Sequence, residues 1–333
     1  MENHMPVFHR SKFLTAILAT AVCLAVPAAQ PQAQEYPARP IRFVVPFGAG
    51  GPTDLVTRAL AQKMSETLRQ SVVVDNRPGA GANIGTNVVA KAPADGYTLL
   101  MGTSGPLAAN LTLFGELPYD PLKDLAPITL LGYLPNMLAV HPSVPAKNVA
   151  ELIALLKAKP GEYSFASGGN GTSSHLSGVL FESMAGVRMV HIPYKGDGTS
   201  IVDVLGGRVP IIFCSVVTGM RFLESGRLRA LAVTSAKRVP AISQVPTLAE
   251  SGLPGYDLVP WFSIMVPAGT PRQIVDKLNA VIVKIGRSAE FKEIIESMGG
   301  ITAGTTPEEV TEVIKADIPR WGKLIKDSGA KVD

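Results

Sequence analysis

The chain has 333 residues, 46% of them hydrophobic, 17% charged and 6% aromatic, with a formal net charge of +4. That is enough apolar material for real cores and too much for a disordered chain. Lysine and arginine are scattered rather than gathered into a stripe, and aromatic residues are too few for base-stacking platforms, so nucleic acid is excluded as a partner.

The first predicted element is an export signal. Arg10 and Lys12 precede the apolar run FLTAILATAVCLAVPAA, which gives way to the small, polar QPQAQ. That order is the layout of a secretory signal peptide, and residues 1–34 are read as removed. The run is short for a membrane anchor, which needs about 20 apolar residues. A lipid anchor is rejected because Val22, not a small residue, precedes Cys23. Removal takes away Arg10, Lys12 and Glu2, so the charge falls from +4 to +3, and it leaves Cys214 as the one cysteine. A single cysteine makes no internal disulfide, so the exported protein relies on its core. The expected compartment is the periplasm.

The remaining chain alternates strand-like and helix-like segments. IRFVVPF (41–47) is a short apolar run rich in branched residues, after which Val56, Leu60, Met64 and Leu68 recur every fourth residue. SVVVDN (71–76) reads as the next strand, making a βαβ unit, and YTLLMGT (97–103) follows a helix that ends at Pro93. From NMLAVHP (136–142) the same grammar restarts, with helices over 148–158, 173–185, 198–205 and a turn near 218–225, and strands over 163–167, 189–193, 209–214 and 229–235. Residues 238–260 read as irregular chain leading to WFSIMVP (261–267), a strand that crosses back to the first set. Helices over 271–285, 288–298 and 307–328 close the chain, with Thr270-Pro271 and Thr306-Pro307 as cap and first helical residue. The predicted fold is α/β in two lobes, each a mostly parallel sheet flanked by helices. The expected division is 35–136 with 262–333 as lobe 1, and 137–261 as lobe 2.

Ligands of open α/β sheets gather at the carboxyl ends of strands, which directs attention to three glycine loops. The first, FGAGGPTD (47–54), joins a strand to a helix N-terminus. Gly48, Gly50 and Gly51 permit close backbone approach, and the first helical amides are unpaired donors at the positive end of a dipole. Such a place favours anions, with Thr53 or Asp54 as the cap; read as structure alone, it is a tight turn before a helix. It lacks the lysine of a phosphate loop and the spacing of a dinucleotide loop. NRPGAGANIG (76–85) is the second loop, and SGGNGTSSH (167–175) the third. In the third, Ser167, Thr172, Ser173 and Ser174 supply hydroxyls, and Gly168, Gly169 and Gly171 expose amides; the plainer reading is a helix cap. Thr103 and Ser104 repeat the strand-then-hydroxyl theme, and Tyr194 and Lys195 end another strand. Trp261 is read as hinge packing ahead of ligand stacking.

Enzyme signatures are sparse: there is no Gly-x-Ser-x-Gly, His-Glu-x-x-His or Cys-x-x-Cys. His141, His175 and His191 are dispersed, so no metal and no cofactor are expected. The rival to a binding protein is an exported hydrolase using Ser174 or Ser173 with His175.

Taken together, YPARPIRFVVPFGAGGPTDLVTRALAQKM, VVVDNRPGAGANIG, KAPADGYTLLMG, FASGGNGTSSHL, VPTLAESGLPGY and WFSIMVPAGTP resemble the Bug family of periplasmic solute-binding proteins, the substrate-binding component of tripartite tricarboxylate transporters. The resemblance spans about 36–333. It implies a type II-like Venus-flytrap fold whose cleft closes on a small organic carboxylate for delivery to the membrane permease subunits, with a monomer expected. It also implies ligand contacts from Phe47, Gly50, Gly51, Thr53 and Asp54 and from Ser167, Gly168, Asn170, Gly171, Thr172 and His175. To these the residue pattern adds Thr103, Ser104 and Tyr194. Two positions depart from the family pattern: Ala82, where glycine is usual, and Asp197, where a small apolar residue is commoner. A carboxylate at the cleft would disfavour some acidic ligands, unless it points to solvent.

Overall fold

The computed structural model describes Met1, Glu2 and residues 36–328, so the expected export signal, beyond its first two residues, lies outside the described residues. Tyr36 opens the unit that carries both sheets. Its first strand, β1 (Ile41–Val45), is followed by α1 (Pro52–Leu68), β2 (Val72–Asn76), α2 (Asn83–Ala90) and β3 (Thr98–Thr103). A π-turn at Gly105–Ala109 runs into α3 (Asn110–Leu113), and then come β4 (Leu125–Tyr133) and β5 (Asn136–Val140). Next are α4 (Val149–Ala158), β6 (Ser164–Ser167), α5 (Ser173–Ala185), β7 (Val190–Pro193) and α6 (Asp197–Leu205). The chain continues through β8 (Ile211–Ser215), α7 (Val216–Gly219), β9 (Arg229–Val233) and β10 (Trp261–Pro267). It closes with α8 (Arg272–Arg287), α9 (Ala289–Ser297), β11 (Ile301–Thr302) and α10 (Pro307–Ser328). No helix among the described residues is long and apolar enough to cross a membrane.

The strands form two sheets, a six-stranded one in the order β11-β4-β10-β3-β1-β2 and a five-stranded one in the order β7-β6-β8-β5-β9. The βα units pair in parallel as their crossovers require, β1 with β2 and β3, and β6 with β7 and β8. Both sheets are nevertheless mixed rather than mostly parallel. β10 returns antiparallel between β3 and β4, and β5 lies antiparallel between β8 and β9. The run 136–142 therefore does not begin a new βα series but crosses from the first sheet into the middle of the second. β4 escaped sequence detection because Pro127 interrupts its apolar run; β10 accommodates it with register shifts.

Alternate residues of the central strands face opposite cores, which is why these strands are almost unbroken apolar runs. Phe43 and Leu99 pack with Leu60 of α1 and Leu278 of α8, while Val44 and Leu100 face the other way, toward Val310 and Ile314 of α10. In the second sheet Leu138, Phe165 and Phe213 meet Leu152 and Phe181, while Met137, Ile212 and Cys214 meet Ile201 and Val204. Each such buried side chain stabilises the fold by about 1.5–3 kcal/mol. Cys214 is an unpaired core residue whose thiol is pushed well up by burial, so it is inert packing rather than chemistry.

Of the two expected Thr-Pro caps, one forms and one does not. α10 has its capping box, with the Glu309 amide donating to Thr306 Oγ1 at 3.3 Å and the Thr306 amide to Glu309 Oε2 at 2.8 Å. α8 starts one residue later than expected, behind Pro271, and the Thr270 hydroxyl instead donates to the Pro267 carbonyl at 2.7 Å. α10 also serves both sheets: Val310 and Ile314 join the first sheet's core, whereas Trp321 and Ile325 join the second's.

Candidate functional site

A cavity of about 310 Å³ lies where the carboxyl ends of β1, β3, β6, β7 and β8 converge. From the first sheet come the stretch Phe47–Thr53, Gly81 and the stretch Thr103–Pro106; from the second come Asn136, Gly168, the stretches Thr172–Ser174 and Lys195–Thr199, Ser215 and Arg221. Asn136 and Ser215 are direct register partners in β5 and β8, so one strand pairing delivers both.

Three helices begin on this cavity. α1 starts behind Gly51 and α6 behind Gly196, neither with a side chain capping its first amides. α5 is capped by Thr172, whose Oγ1 accepts from the His175 amide at 3.4 Å. Open first-turn amides at a helix N-terminus are donors aligned with the positive end of the helix dipole. Their convergence from both sheets makes the cavity a place for an anion without a buried lysine. Lys195 and Arg221 are exposed residues of the lining.

The expected cap at the opening loop is corrected. The helix begins at Pro52, which puts Thr53 and Asp54 inside its first turn, and neither caps it. Thr53 lines the cavity, but Asp54 turns away beneath the loop. Its Oδ2 accepts from the Gly50 amide at 2.9 Å and from Arg58 Nε at 2.9 Å, and its Oδ1 accepts from Asn76 Nδ2 at 2.9 Å. Burial raises its pKa, but these bonds outweigh it and hold the carboxyl below its usual value. Asp54 thus fixes the loop's shape, including Gly50 at a φ of 78°.

The cavity brings together Phe47, Gly50, Gly51, Thr53, Thr103, Ser104, Gly168 and Thr172 of the expected residues, and leaves Asp54, Ser167, Asn170, Gly171, His175 and Tyr194 off its wall. The Ser167 hydroxyl pairs with His191 Nε2 at 2.6 Å, and the Tyr194 hydroxyl donates to Asp203 Oδ2 at 2.7 Å. Asn170 and Gly171 lie against the first sheet's loops: a Cβ on Gly81 would stand 2.5 Å from the Asn170 carbonyl, and one on Gly105 2.7 Å from the Gly171 carbonyl. These glycines are where backbone meets backbone.

Sequence reasoning missed Gly105, Asn136, Gly196, Thr199, Ser215 and Arg221 as lining residues. Asn136 and Ser215 sit in apolar strands, and only strand pairing brings them to the cavity; the glycine pairs near 196 and 198 were the one legible signal. Asp197 does not point to solvent. It is buried at the start of α6, its Oδ2 accepts from the Ser215 amide at 2.8 Å, and its Oδ1 accepts from Ser174 Oγ at 3.2 Å. Burial pushes its pKa up against those two donors.

The Ser174–His175 hydrolase geometry does not form. Ser174 Oγ accepts from the Gly168 amide at 2.9 Å and donates to Asp197. His175 Nδ1 accepts from the Gly171 amide at 3.2 Å, so that nitrogen is engaged by the backbone of the loop. The His175 ring stacks on His191 with centroids 4.1 Å apart. Among the described residues no group of three or more His, Cys, Asp or Glu side chains is placed to hold a metal ion.

Known proteins agree with this architecture. The family described as "Tripartite tricarboxylate transporter family receptor" matches residues 56–330. Protein BugT of Bordetella pertussis is 40% identical over 320 residues, covering 96% of this chain and 98% of that protein. Among solved structures, R. palustris Rpa4515 with adipate is 38% identical with a TM-score of 0.86, covering 88% of this chain and 98% of that one. MatC from Rhodopseudomonas palustris with bound malate is 30% identical with a TM-score of 0.83, covering 87% and 100%. With its two mixed sheets, its cavity at their strand ends and these relatives along almost its whole length, the chain belongs to the tripartite tricarboxylate transporter receptors, the Bug-type solute-binding proteins.

Proposed function

We propose that this receptor captures a small organic carboxylate in the cavity between two lobes built on the two sheets, in the periplasm, and hands it as a monomer to the permease of a tripartite tricarboxylate transporter. The observation that carries the reading is the convergence of the α1, α5 and α6 N-termini on one cavity, two of them without a side-chain cap. Relatives solved with adipate and with malate support the ligand class. The lobes would divide at the β4–β5 and β9–β10 connections, with α10 spanning both. Ligand then favours the closed arrangement by touching loops from each sheet.

A thermal-shift panel of dicarboxylates, hydroxy acids, amino acids, sugars and nucleotides tests this. A carboxylate at a hundredfold excess over its Kd is expected to stabilise the fold by about 2.7 kcal/mol. A response to sugars or nucleotides alone would refute the carboxylate reading.

A further inference from the structure

We propose that Asp197 determines specificity in this cavity by accepting a hydrogen bond from the ligand, selecting carboxylates that carry a hydroxyl or ammonium over the unsubstituted acid. The inference rests on the carboxylate-receptor reading above.

Asp197 is the one carboxylate of the cavity lining among the described residues, and it is buried. Facing a bare dicarboxylate across the cavity, it would add repulsion between like charges. The groups around it present donors to it. Both of its described contacts donate to it, the Ser215 amide at 2.8 Å and the Ser174 hydroxyl at 3.2 Å, and it occupies the first turn of α6, where the helix dipole favours negative charge. Its side chain is therefore set as an acceptor, and each oxygen keeps a lone pair beyond the one engaged. Burial alone works against the charge, which is the state a ligand donor relieves. Beside it Ser215 Oγ, in a residue 4% exposed, has no hydrogen-bond partner, so a second polar group at this wall awaits one. Asn136, its register partner, is 1% exposed and lines the same wall. A hydroxyl or ammonium on the ligand turns the repulsive carboxylate into a partner, while a bare methylene leaves it unpaired.

Succinate, L-malate and L-aspartate differ at one carbon, bearing hydrogen, hydroxyl or ammonium, and titration calorimetry of the full protein with each reads the effect. L-malate or L-aspartate is expected to bind at least tenfold tighter than succinate. Asp197→Ala should bring the three within about twofold of one another. Asp197→Asn, which keeps a carbonyl acceptor without the charge, should hold the hydroxyl preference and lose the ammonium preference. Should Asp197→Ala not fold, the wild-type ratios and Asp197→Asn still decide. Equal binding of all three by the wild type, or an unchanged preference in a folded variant, would overturn the role of Asp197 while leaving the carboxylate reading intact. If these three and adipate all fail to bind while an uncharged polyol binds, the carboxylate reading itself falls.

Discussion

His191 illustrates what a single position can conceal. In sequence it is one of three scattered histidines beyond residue 34; in the structure it is half-buried, stacked on Phe165 with centroids 4.8 Å apart and on His175 at 4.1 Å. Burial lowers its pKa from 6.5 to about 4, so the folded protein holds it neutral. A histidine whose folded pKa is depressed contributes stability that is present above its unfolded pKa and is lost as pH falls through the folded one. Between pH 6.5 and about 4 the fold should lose up to about 3 kcal/mol from this residue. His191→Gln removes the titration, and urea melts at pH 7 and 4.5 should show a smaller acid loss in the variant than in the wild type. Equal losses would mean that the ring is more hydrated than its packing indicates.

Among the elements, α10 has the least conventional task. Pro319 interrupts its hydrogen-bond ladder between the half whose Val310 and Ile314 pack under the first sheet and the half whose Trp321 and Ile325 pack under the second. Asp317 stands at this changeover. Its Oδ2 accepts from Trp261 Nε1 at 2.6 Å and from Trp321 Nε1 at 3.3 Å, tying the first residue of β10 to the helix. Trp261 is 2% exposed and fully engaged there, so it is packing at the crossover rather than a ligand platform. Asp317→Ala strands two buried indole N–H groups and should cost about 2–4 kcal/mol in urea denaturation, with Asp317→Asn, which keeps one acceptor, costing about 1. A loss below about 0.5 kcal/mol for the alanine variant would mean that water replaces the carboxylate.

Across the molecule the loops of the two sheets meet through glycine. The Gly105 site has no room for a Cβ against the Gly171 carbonyl, Gly81 has none against the Asn170 carbonyl, and Gly48 comes within 3.2 Å of the Lys195 carbonyl by the same measure. If closure on the ligand depends on this approach, Gly105→Ala should lower ligand affinity at least tenfold and enlarge the radius of gyration of the ligand-saturated protein in solution scattering. Gly206→Ala, at the end of α6 where a Cβ meets the Val202 carbonyl at an ordinary 3.5 Å, should change neither. An unchanged radius in the Gly105 variant would place the closing contact elsewhere.

Much of this molecule follows from local chemistry. Val56, Leu60 and Met64 make α1 wherever it sits, Pro307 marks a helix start, and the glycine loops after β1 and β6 are cavity walls because tight turns before helices expose amides. The resemblance carried by those motifs reached the family and its solute-binding role. Tertiary structure decided what depends on partners distant in sequence. The antiparallel insertion of β10 and β5, the strand status of β4, and the arrival of Asn136 and Ser215 at one wall are all consequences of pairing, which leaves no period in the chain. Whether Asp54, Ser167 and Tyr194 face a ligand or brace the loops depended likewise on where Arg58, His191 and Asp203 fall. For Asp197, sequence supplied only a charge in an unusual place. Burial at the start of α6, with two donors aimed at it, turned that charge into an acceptor.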